Sequence, residues 1–240
     1  SRTNEITKET TEALESFQTR KAGLACFFEM YEVLKWYQRR AEEMNRAVLD
    51  DVLRTWIKLM TPFTPHVCEE LWNLLGNEGF VSSSPWPGYN EKLIDEKLDR
   101  MEDIVRQTLI DINEIIRLVG KKPKKIYIYT SPEWKHVVYS KIIESKGGDA
   151  RSIIPAIMRS PEGRKYGKEA LRFAQSLVKN LANLKEVLSA EDEYTALKDA
   201  ERFFEREFKC EVRVMYASES KSEKALRAEP GKPGIEIVSD

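Results

Sequence analysis

Apolar residues recur every three or four positions through the first half of the chain, which is the spacing of a helix face. Helices are predicted over about 10–43, 48–60, 66–75 and 92–119. Pro62 and Pro65 interrupt the pattern after the second helix, and Gly76 follows the third, where a left-handed residue commonly ends a helix. Long helices with mostly short connections indicate an antiparallel bundle.

The pattern changes at Gly120, after which short β-type segments alternate with helical ones. Strands are predicted at 126–129, 211–216 and 235–238, the last at a sheet edge. Helices are predicted over about 134–143, 150–159, 168–188 and 191–208. The segments 161–167 and 218–228 are expected to be a loop and a polar linker. The sequence therefore predicts a mainly α chain, with a helical bundle at 1–119 and a small α+β domain with a short sheet at 120–240.

Composition excludes a disordered chain and a membrane protein. Hydrophobic residues make up 41% of the 240 residues, and no apolar stretch reaches the roughly 18 residues of a membrane span. The cysteines Cys26, Cys68 and Cys210 are widely spaced, with no C-x-x-C pair, so reduced thiols and a cytoplasmic location are expected. The start at Ser1, with neither an initiator Met nor a hydrophobic signal region, predicts a piece of a longer protein.

The net charge of −1 conceals a division along the chain. Residues 1–115 carry 14 basic and 21 acidic side chains, whereas residues 116–240 carry 25 and 19. The basic excess is concentrated at 117–185, where 16 Lys and Arg stand against 5 Asp and Glu, a local charge of +11. Affinity for phosphate depends on such clustering more than on the total charge, so a nucleic-acid partner is predicted.

The residues that could catalyse a reaction or bind a metal form no convincing constellation. His66 and Cys68 are two positions apart and so lie on different helix faces, and His136 stands alone. From Gly163 to Lys168, three residues separate the glycines where a nucleotide-binding loop needs four, and Glu169 stands where Ser or Thr would hold magnesium. No catalytic residue, metal or cofactor is therefore expected in this chain.

Aromatic residues are interleaved with the basic ones, at Tyr127, Tyr129, Trp134, Tyr139 and Tyr166. Exposed aromatic rings can stack on unpaired bases while neighbouring cations bind phosphates. Many of these rings are expected in the core, because strand and helix faces need them. The basic side chains are therefore the firmer candidates for a nucleic-acid interface.

One long motif resembles a known family. Residues 59–72 read Leu-Met-Thr-Pro-Phe-Thr-Pro-His-Val-Cys-Glu-Glu-Leu-Trp, and residues 84–87 read Ser-Pro-Trp-Pro. The pair resembles the anticodon-binding helical domain of class I aminoacyl-tRNA synthetases of the isoleucyl, leucyl, valyl and methionyl group. Downstream, the segments 118–129 and 208–212, with Trp134-Lys135, resemble archaeal and eukaryotic-type leucyl-tRNA synthetases. The resemblance covers essentially the whole chain.

The resemblance implies the tRNA-binding part of a leucyl-tRNA synthetase. The bundle would lie against the corner and anticodon stem of leucine tRNA, and the C-terminal domain would reach its long variable arm. The parent chain would also contain catalytic and editing domains and would use ATP and magnesium, so this part alone is not expected to activate leucine. The predicted tRNA contacts are Lys121, Lys122, Lys124, Lys125, Lys135, Arg151, Arg164, Lys165, Lys168, Arg172 and Lys232, with the tail residues Ile235, Glu236 and Ile237 added by resemblance.

Two other interpretations stay open on the sequence alone. The same region of an isoleucyl- or valyl-type synthetase would share the first motif, and a preference for tRNA with a long variable arm would separate the two. A protein-docking module of a multi-synthetase assembly would also present helical surfaces, and it would bind its partner without RNA.

Overall fold

The structure is a computed structural model that describes the backbone of residues 1–145 and 150–239 and, in the second range, the side chains from residue 153 onward. Helices dominate this part of the chain, and a short sheet lies in its second half. The predicted fold class, mainly α with a small α+β part, is confirmed.

Over the described residues the chain divides into two compact units, residues 1–99 and residues 100–240. The division falls within a helix, ahead of the change in composition at Gly120. The domain boundary predicted after residue 119 rests on that change in composition and stays a prediction.

The first unit is built of helices. They are α1 (Arg2–Glu15), α2 (Thr19–Gly23), α3 (Met30–Arg40), α4 (Arg46–Met60), α5 (Pro65–Leu74) and the start of α6 (Glu96–Val119). A π-helical segment, Leu24–Glu29, joins α2 to α3. The uninterrupted helix predicted over 10–43 is wrong, because Phe17 adopts a left-handed φ of 57° and ends α1. The amides of Phe17 and Gln18 bond back to the Leu14 and Ala13 carbonyls, a helix ending that normally uses glycine.

The Thr-Pro-Phe-Thr-Pro motif shapes the entry to α5. Pro65 occupies the first helical position, where its missing N–H costs nothing, and Phe63 packs edge-on against Phe27 with ring centres 5.7 Å apart. Trp72 is buried with the free thiol of Cys68 beneath a short turn at Val81. The motif therefore builds the helical core rather than an exposed site. Gly76 has the predicted left-handed conformation, with φ 73°.

The second unit combines the rest of α6 with six helices and three strands in its described part. The strands are β1 (Pro123–Thr130), β2 (Glu211–Tyr216) and β3 (Gly234–Ser239). The helices are α7 (Glu133–Glu144), α8 (Ala150–Arg159), α9 (Pro161–Lys179), α10 (Ala190–Asp199), α11 (Glu201–Phe208) and α12 (Glu223–Leu226). All three predicted strands are confirmed.

Several predicted boundaries in this unit are wrong. The expected loop at 161–167 is the first part of α9, which begins at Pro161 because the Ser160 hydroxyl accepts a hydrogen bond from the Gly163 amide at 3.2 Å. Gly167, with φ 47° and ψ −112°, breaks α9 internally. The helix predicted over 168–188 ends at Lys179, the one predicted over 191–208 is divided into α10 and α11, and the expected linker at 218–228 contains α12.

In the described residues the strands form one sheet in the order β2-β1-β3, with β1 parallel to β2 and antiparallel to β3. One face is apolar and buried, with Ile126 and Ile128 of β1 beside Val212 and Val214 of β2. Two glutamates of α11 approach the outer edge of β2. Glu201 accepts a hydrogen bond from the Val214 amide at 2.7 Å, and Glu205 accepts one from the Val212 amide at 3.4 Å. These bonds satisfy amides that would otherwise invite another strand.

Candidate nucleic-acid interface

Four of the predicted lysines lie where the chain enters β1. Three of them are exposed: Lys121, Lys122 and Lys124. Lys125 is half-buried, with its Nζ 3.0 Å from Glu211 Oε1 and 5.0 Å from the centre of the Tyr127 ring. Hydrogen bonding to Glu211 raises the pKa of Lys125, so the ammonium stays charged at neutral pH. The start of the central strand therefore carries a cluster of cations at one end of the sheet.

One cation of this cluster, Arg213 on β2, is missing from the set predicted from sequence. The register places Arg213 opposite Tyr127, and its Nε donates to Glu211 Oε1 at 2.7 Å. Its side chain is 61% exposed. Alternation along 211–216 puts Arg213 on the polar face of its strand, but only the pairing of β2 with β1 brings it to the lysines.

A second group of predicted cations lies on α9. All four are exposed: Arg164, Lys165, Lys168 and Arg172. The break at Gly167 separates the first two from the last two. Lys168 and Arg172 are four positions apart and so share one helix face, opposite the buried Ala170 and Phe173 side. This arrangement leaves the four charges at the surface, where phosphates can reach them.

Lys135 differs from the other predicted cations because its ammonium group is buried. Only 9% of the residue is exposed, and its Nζ donates to the carbonyl oxygens of Leu226 at 2.9 Å and Ala228 at 2.6 Å. Burial lowers the pKa of Lys135. Contact with tRNA would require these two hydrogen bonds to break, so the structure gives Lys135 a role in holding the segment after α12. Arg151, another predicted contact, lies outside the described side chains.

The predicted tail contacts lie on or beside β3. Lys232 is exposed in a turn closed by paired hydrogen bonds with Glu229. Ile235 is buried, Ile237 is half-buried, and Glu236 accepts a hydrogen bond from the Tyr129 hydroxyl at 2.7 Å. β3 pairs with β1 along one edge, and in the described part of the chain no strand lies along its other edge. Backbone groups on that edge are therefore not used in strand pairing there.

The five aromatic candidates fall into three environments. Tyr129 and Tyr139 are buried, so they belong to the core. Trp134 and Tyr166 are half-buried and stack on each other, with ring centres 4.7 Å apart. Tyr127 is half-buried on the polar face of the sheet, beside Lys125 and Arg213. The interleaving seen in the sequence therefore brings one ring into the cation cluster around β1.

A cleft of about 1100 Å³ opens near the carboxyl ends of β1 and β2. Its walls include the stacked pair Trp134 and Tyr166, and its charged lining consists of Glu133, Lys141, Glu144, Glu162, Lys165 and Glu191. Lys141 is paired with Glu162 at 2.8 Å, and this pairing holds the pKa of Glu162 at about 2. Carboxylates outnumber cations in this lining, so the cleft repels phosphates and the basic surfaces of β1 and α9 are the better interface.

The described part of the chain contains neither a candidate metal site nor a membrane-spanning helix. No group of three or more His, Cys, Asp or Glu side chains there is arranged to hold a metal ion. None of its helices combines the length and the apolar character needed to cross a membrane.

Comparison with known proteins assigns the first part of the chain. Residues 1–139 match a family described as the anticodon-binding domain of tRNA ligase. The match covers all of the first unit and extends through β1 into α7.

Curated relatives extend the similarity to the rest of the chain. The leucine–tRNA ligase of Methanocaldococcus jannaschii is 38% identical over 98% of this chain. Those of Pyrococcus abyssi and Methanothrix thermoacetophila are 38% and 39% identical over 98% and 95% of it. In each case the match covers 24% of the relative, so the chain spans about a quarter of their length. More than half of the residues match this one domain family, and the matched part is mainly helical. The chain therefore belongs to the family of anticodon-binding domains of tRNA ligases.

Proposed function

We propose that the chain is the tRNA-binding part of a leucine–tRNA ligase and positions leucine tRNA for aminoacylation elsewhere in the ligase. One observation carries this proposal. The similarity to leucine–tRNA ligases continues past residue 139, where the anticodon-binding match ends, and covers 95–98% of the chain. The basic second unit, and not only the helical one, is therefore shared with ligases named for a single amino acid.

The arrangement of charge supports a positioning role. Exposed cations at the start of β1 and on α9 suit phosphate oxygens, which fix the placement of a nucleic acid without reading its sequence. The helical unit would contact the corner and anticodon stem, and the second unit would contact the long variable arm. Binding energy from these remote contacts would hold the acceptor end at the chemistry.

The remaining functions belong, on this proposal, to other parts of the ligase. Catalytic and editing domains of the same chain would be its partners, and they would use ATP and magnesium. This part would need no cofactor. The ligase would work in the cytoplasm, where tRNA is charged for translation and where free thiols such as Cys26 stay reduced.

The experiment that tests the proposal is a binding titration with the 240-residue chain. Leucine tRNA is compared with the same tRNA lacking its variable arm and with an isoleucine tRNA, each at two salt concentrations. We expect salt-sensitive binding to intact leucine tRNA and a clear loss on deletion of the arm. Equal binding to all three RNAs would contradict the leucine assignment. No binding to any tRNA, together with RNA-independent capture of other synthetases, would replace the proposal with a protein-docking role.

A further inference from the structure

We propose that the open part of the sheet's polar face binds one unpaired nucleotide of tRNA, whose base stacks on Tyr127 and whose phosphate contacts Lys125 and Arg213. This inference rests on the proposed function, because it assigns a contact within that interface. We call Lys125, Tyr127, Glu211 and Arg213 the Tyr127 platform.

The polar face is covered at one end and open at the other. Tyr129 is buried there with Ala217, Ala225 and Ala228, and α12 packs on β1 and β3. Toward the start of β1 this cover ends. The side chains of Arg213, Glu211 and Lys125 are 61%, 43% and 30% exposed. A flat ligand can therefore reach the Tyr127 side of the face without displacing α12.

The Tyr127 ring is held in place before any ligand binds. It lies nearly parallel to the Tyr129 ring, with centres 6.2 Å apart and planes 7° from parallel. The Tyr129 ring is itself fixed through its hydroxyl, which donates to Glu236 Oε2 at 2.7 Å. Lys125 Nζ lies 5.0 Å from the centre of the Tyr127 ring, so the ring already makes a favourable contact at the place where a ligand would bind. A base stacking there would move the ammonium toward the attached phosphate.

The charges of the platform suit a phosphate beside the stacked base. Lys125 Nζ and Arg213 Nε both contact the same oxygen, Glu211 Oε1, at 3.0 Å and 2.7 Å. One carboxylate thus orients two cations, while Glu236, opposite Tyr127 on β3, places a second carboxylate on the same face. Arg213 uses Nε for this contact, and its two terminal nitrogens can donate to a phosphate. The exposed lysines before β1 add to the positive potential.

An unpaired nucleotide fits this platform better than an acidic peptide does. Carboxylates would bind the cations but would leave the fixed Tyr127 ring unused. A nucleotide uses both, since stacking on an aromatic ring contributes about 1–3 kcal/mol per base and a phosphate contact adds a salt-dependent attraction. The open face of a small sheet is also a common site for stacking single-stranded RNA bases.

The first test measures the affinity of the 240-residue chain for leucine tRNA in matched variants. Tyr127→Leu should raise the Kd about 5- to 150-fold without changing its salt dependence. Tyr127→Phe keeps the ring and loses only the hydroxyl that interacts with Lys125, so it should bind much more tightly than Tyr127→Leu. Arg213→Gln should reduce the slope of log K against log salt by about 0.7–0.9. Tyr194→Leu is the control, because Tyr194 is half-buried in the same unit and stacks on Tyr216, with ring centres 4.0 Å apart, beside the cleft whose carboxylates repel phosphates.

The second test keeps an aromatic ring at the site, so it does not depend on the stability of the leucine variant. p-Azidophenylalanine replaces Tyr127, and in a separate control Tyr194, before irradiation of the tRNA complex. We expect a crosslink from position 127 to one nucleotide or two adjacent ones, and none from position 194.

Two outcomes would overturn the stacking site while leaving the proposed function intact. One is wild-type tRNA affinity in Tyr127→Leu with no crosslink from position 127. The other is that Arg213→Gln loses affinity for tRNA and for poly-glutamate equally, while Tyr127→Leu binds both like the wild type. That result would show that the surface binds anions in general. Failure of the proposed function is distinct, because the wild-type chain would then bind no tRNA.

Discussion

Glu193 on α10 provides the sharpest test of how the second unit is held together. The residue is completely buried, and its carboxyl oxygens accept hydrogen bonds from the Ser131 amide at 3.3 Å and the Gly231 amide at 2.8 Å. It therefore joins the end of β1 to the turn before β3. Burial raises the pKa of Glu193 to about 7, although the two amides act in the opposite direction. His136 Nε2 lies 3.7 Å from the same carboxyl group.

The size and sign of the effect follow from the raised pKa. A rise from 4.5 to about 7 corresponds to about 3 kcal/mol of differential proton binding. The folded state binds the proton more tightly, so this contribution favours folding below pH 4.5 and is lost as the pH rises through 7. Between pH 5 and pH 8 the loss is about 2–3 kcal/mol. His136 acts in the opposite direction, because burial lowers its pKa and the unfolded chain takes up a proton below about pH 6.5.

Glu193→Gln removes the titrating carboxyl group, and the variant keeps His136 and the side-chain shape. We subtract the unfolding free energy of the variant from that of the wild type and expect this difference to fall by about 2–3 kcal/mol from pH 5 to pH 8. Unfolding in urea is monitored by fluorine NMR of the chain labelled with 5-fluorotryptophan. The signals report on each unit separately, since Trp134 lies in the second unit and the other four tryptophans lie in the first. The signals of the first unit are the internal control. A difference that stays constant with pH at Trp134 would refute the argument.

The remaining predictions concern burial, backbone contact and surface charge. Lys135→Met leaves the carbonyl groups of Leu226 and Ala228 unpaired and should lower the unfolding free energy by about 1–3 kcal/mol for each of them. The salt dependence of tRNA binding should not change. A smaller salt slope would instead show that Lys135 contacts a phosphate. Gly234→Ala should destabilise by more than about 2 kcal/mol, because its Cβ would lie 2.2 Å from the Lys224 carbonyl oxygen. At Gly76 an added Cβ would meet open space, and only the left-handed φ of 73° opposes it, so Gly76→Ala should lower the unfolding free energy by only about 1–2 kcal/mol. Urea titration measures both variants. A larger loss in Gly76→Ala than in Gly234→Ala would contradict the packing argument. Replacing Lys121, Lys124 and Lys125 together by Ala should weaken tRNA binding and reduce its salt slope by about 2–3. The matched control replaces Lys198, Lys209 and Lys221, which are exposed in the same unit outside the predicted contacts, and equal slopes would remove the β1 lysines from the interface.

Local signals in the sequence account for most of the elements. Helical spacing and the Thr-Pro-Phe-Thr-Pro entry locate α4 and α5, and alternation locates β2, because each signal depends on neighbours within a few turns or residues. Local signals fail where two of them compete. Ser160-Pro161 is a helix start, but the glycines at 163 and 167 favour a loop, and the packed structure decides for a helix with an internal break.

The candidate interface divides in a similar way. Composition and local pattern are enough to show that basic residues cluster at 117–185, that the chain contains the synthetase motif, and that it forms three strands. The folded arrangement is needed to show that Lys135 is buried, that Glu193 is enclosed, and that Arg213 joins Lys125 and Tyr127 across two strands. The physical reason is that burial and ion pairing depend on which distant segments meet. A charged side chain has the same local pattern whether it faces water or the carbonyl oxygens of another segment.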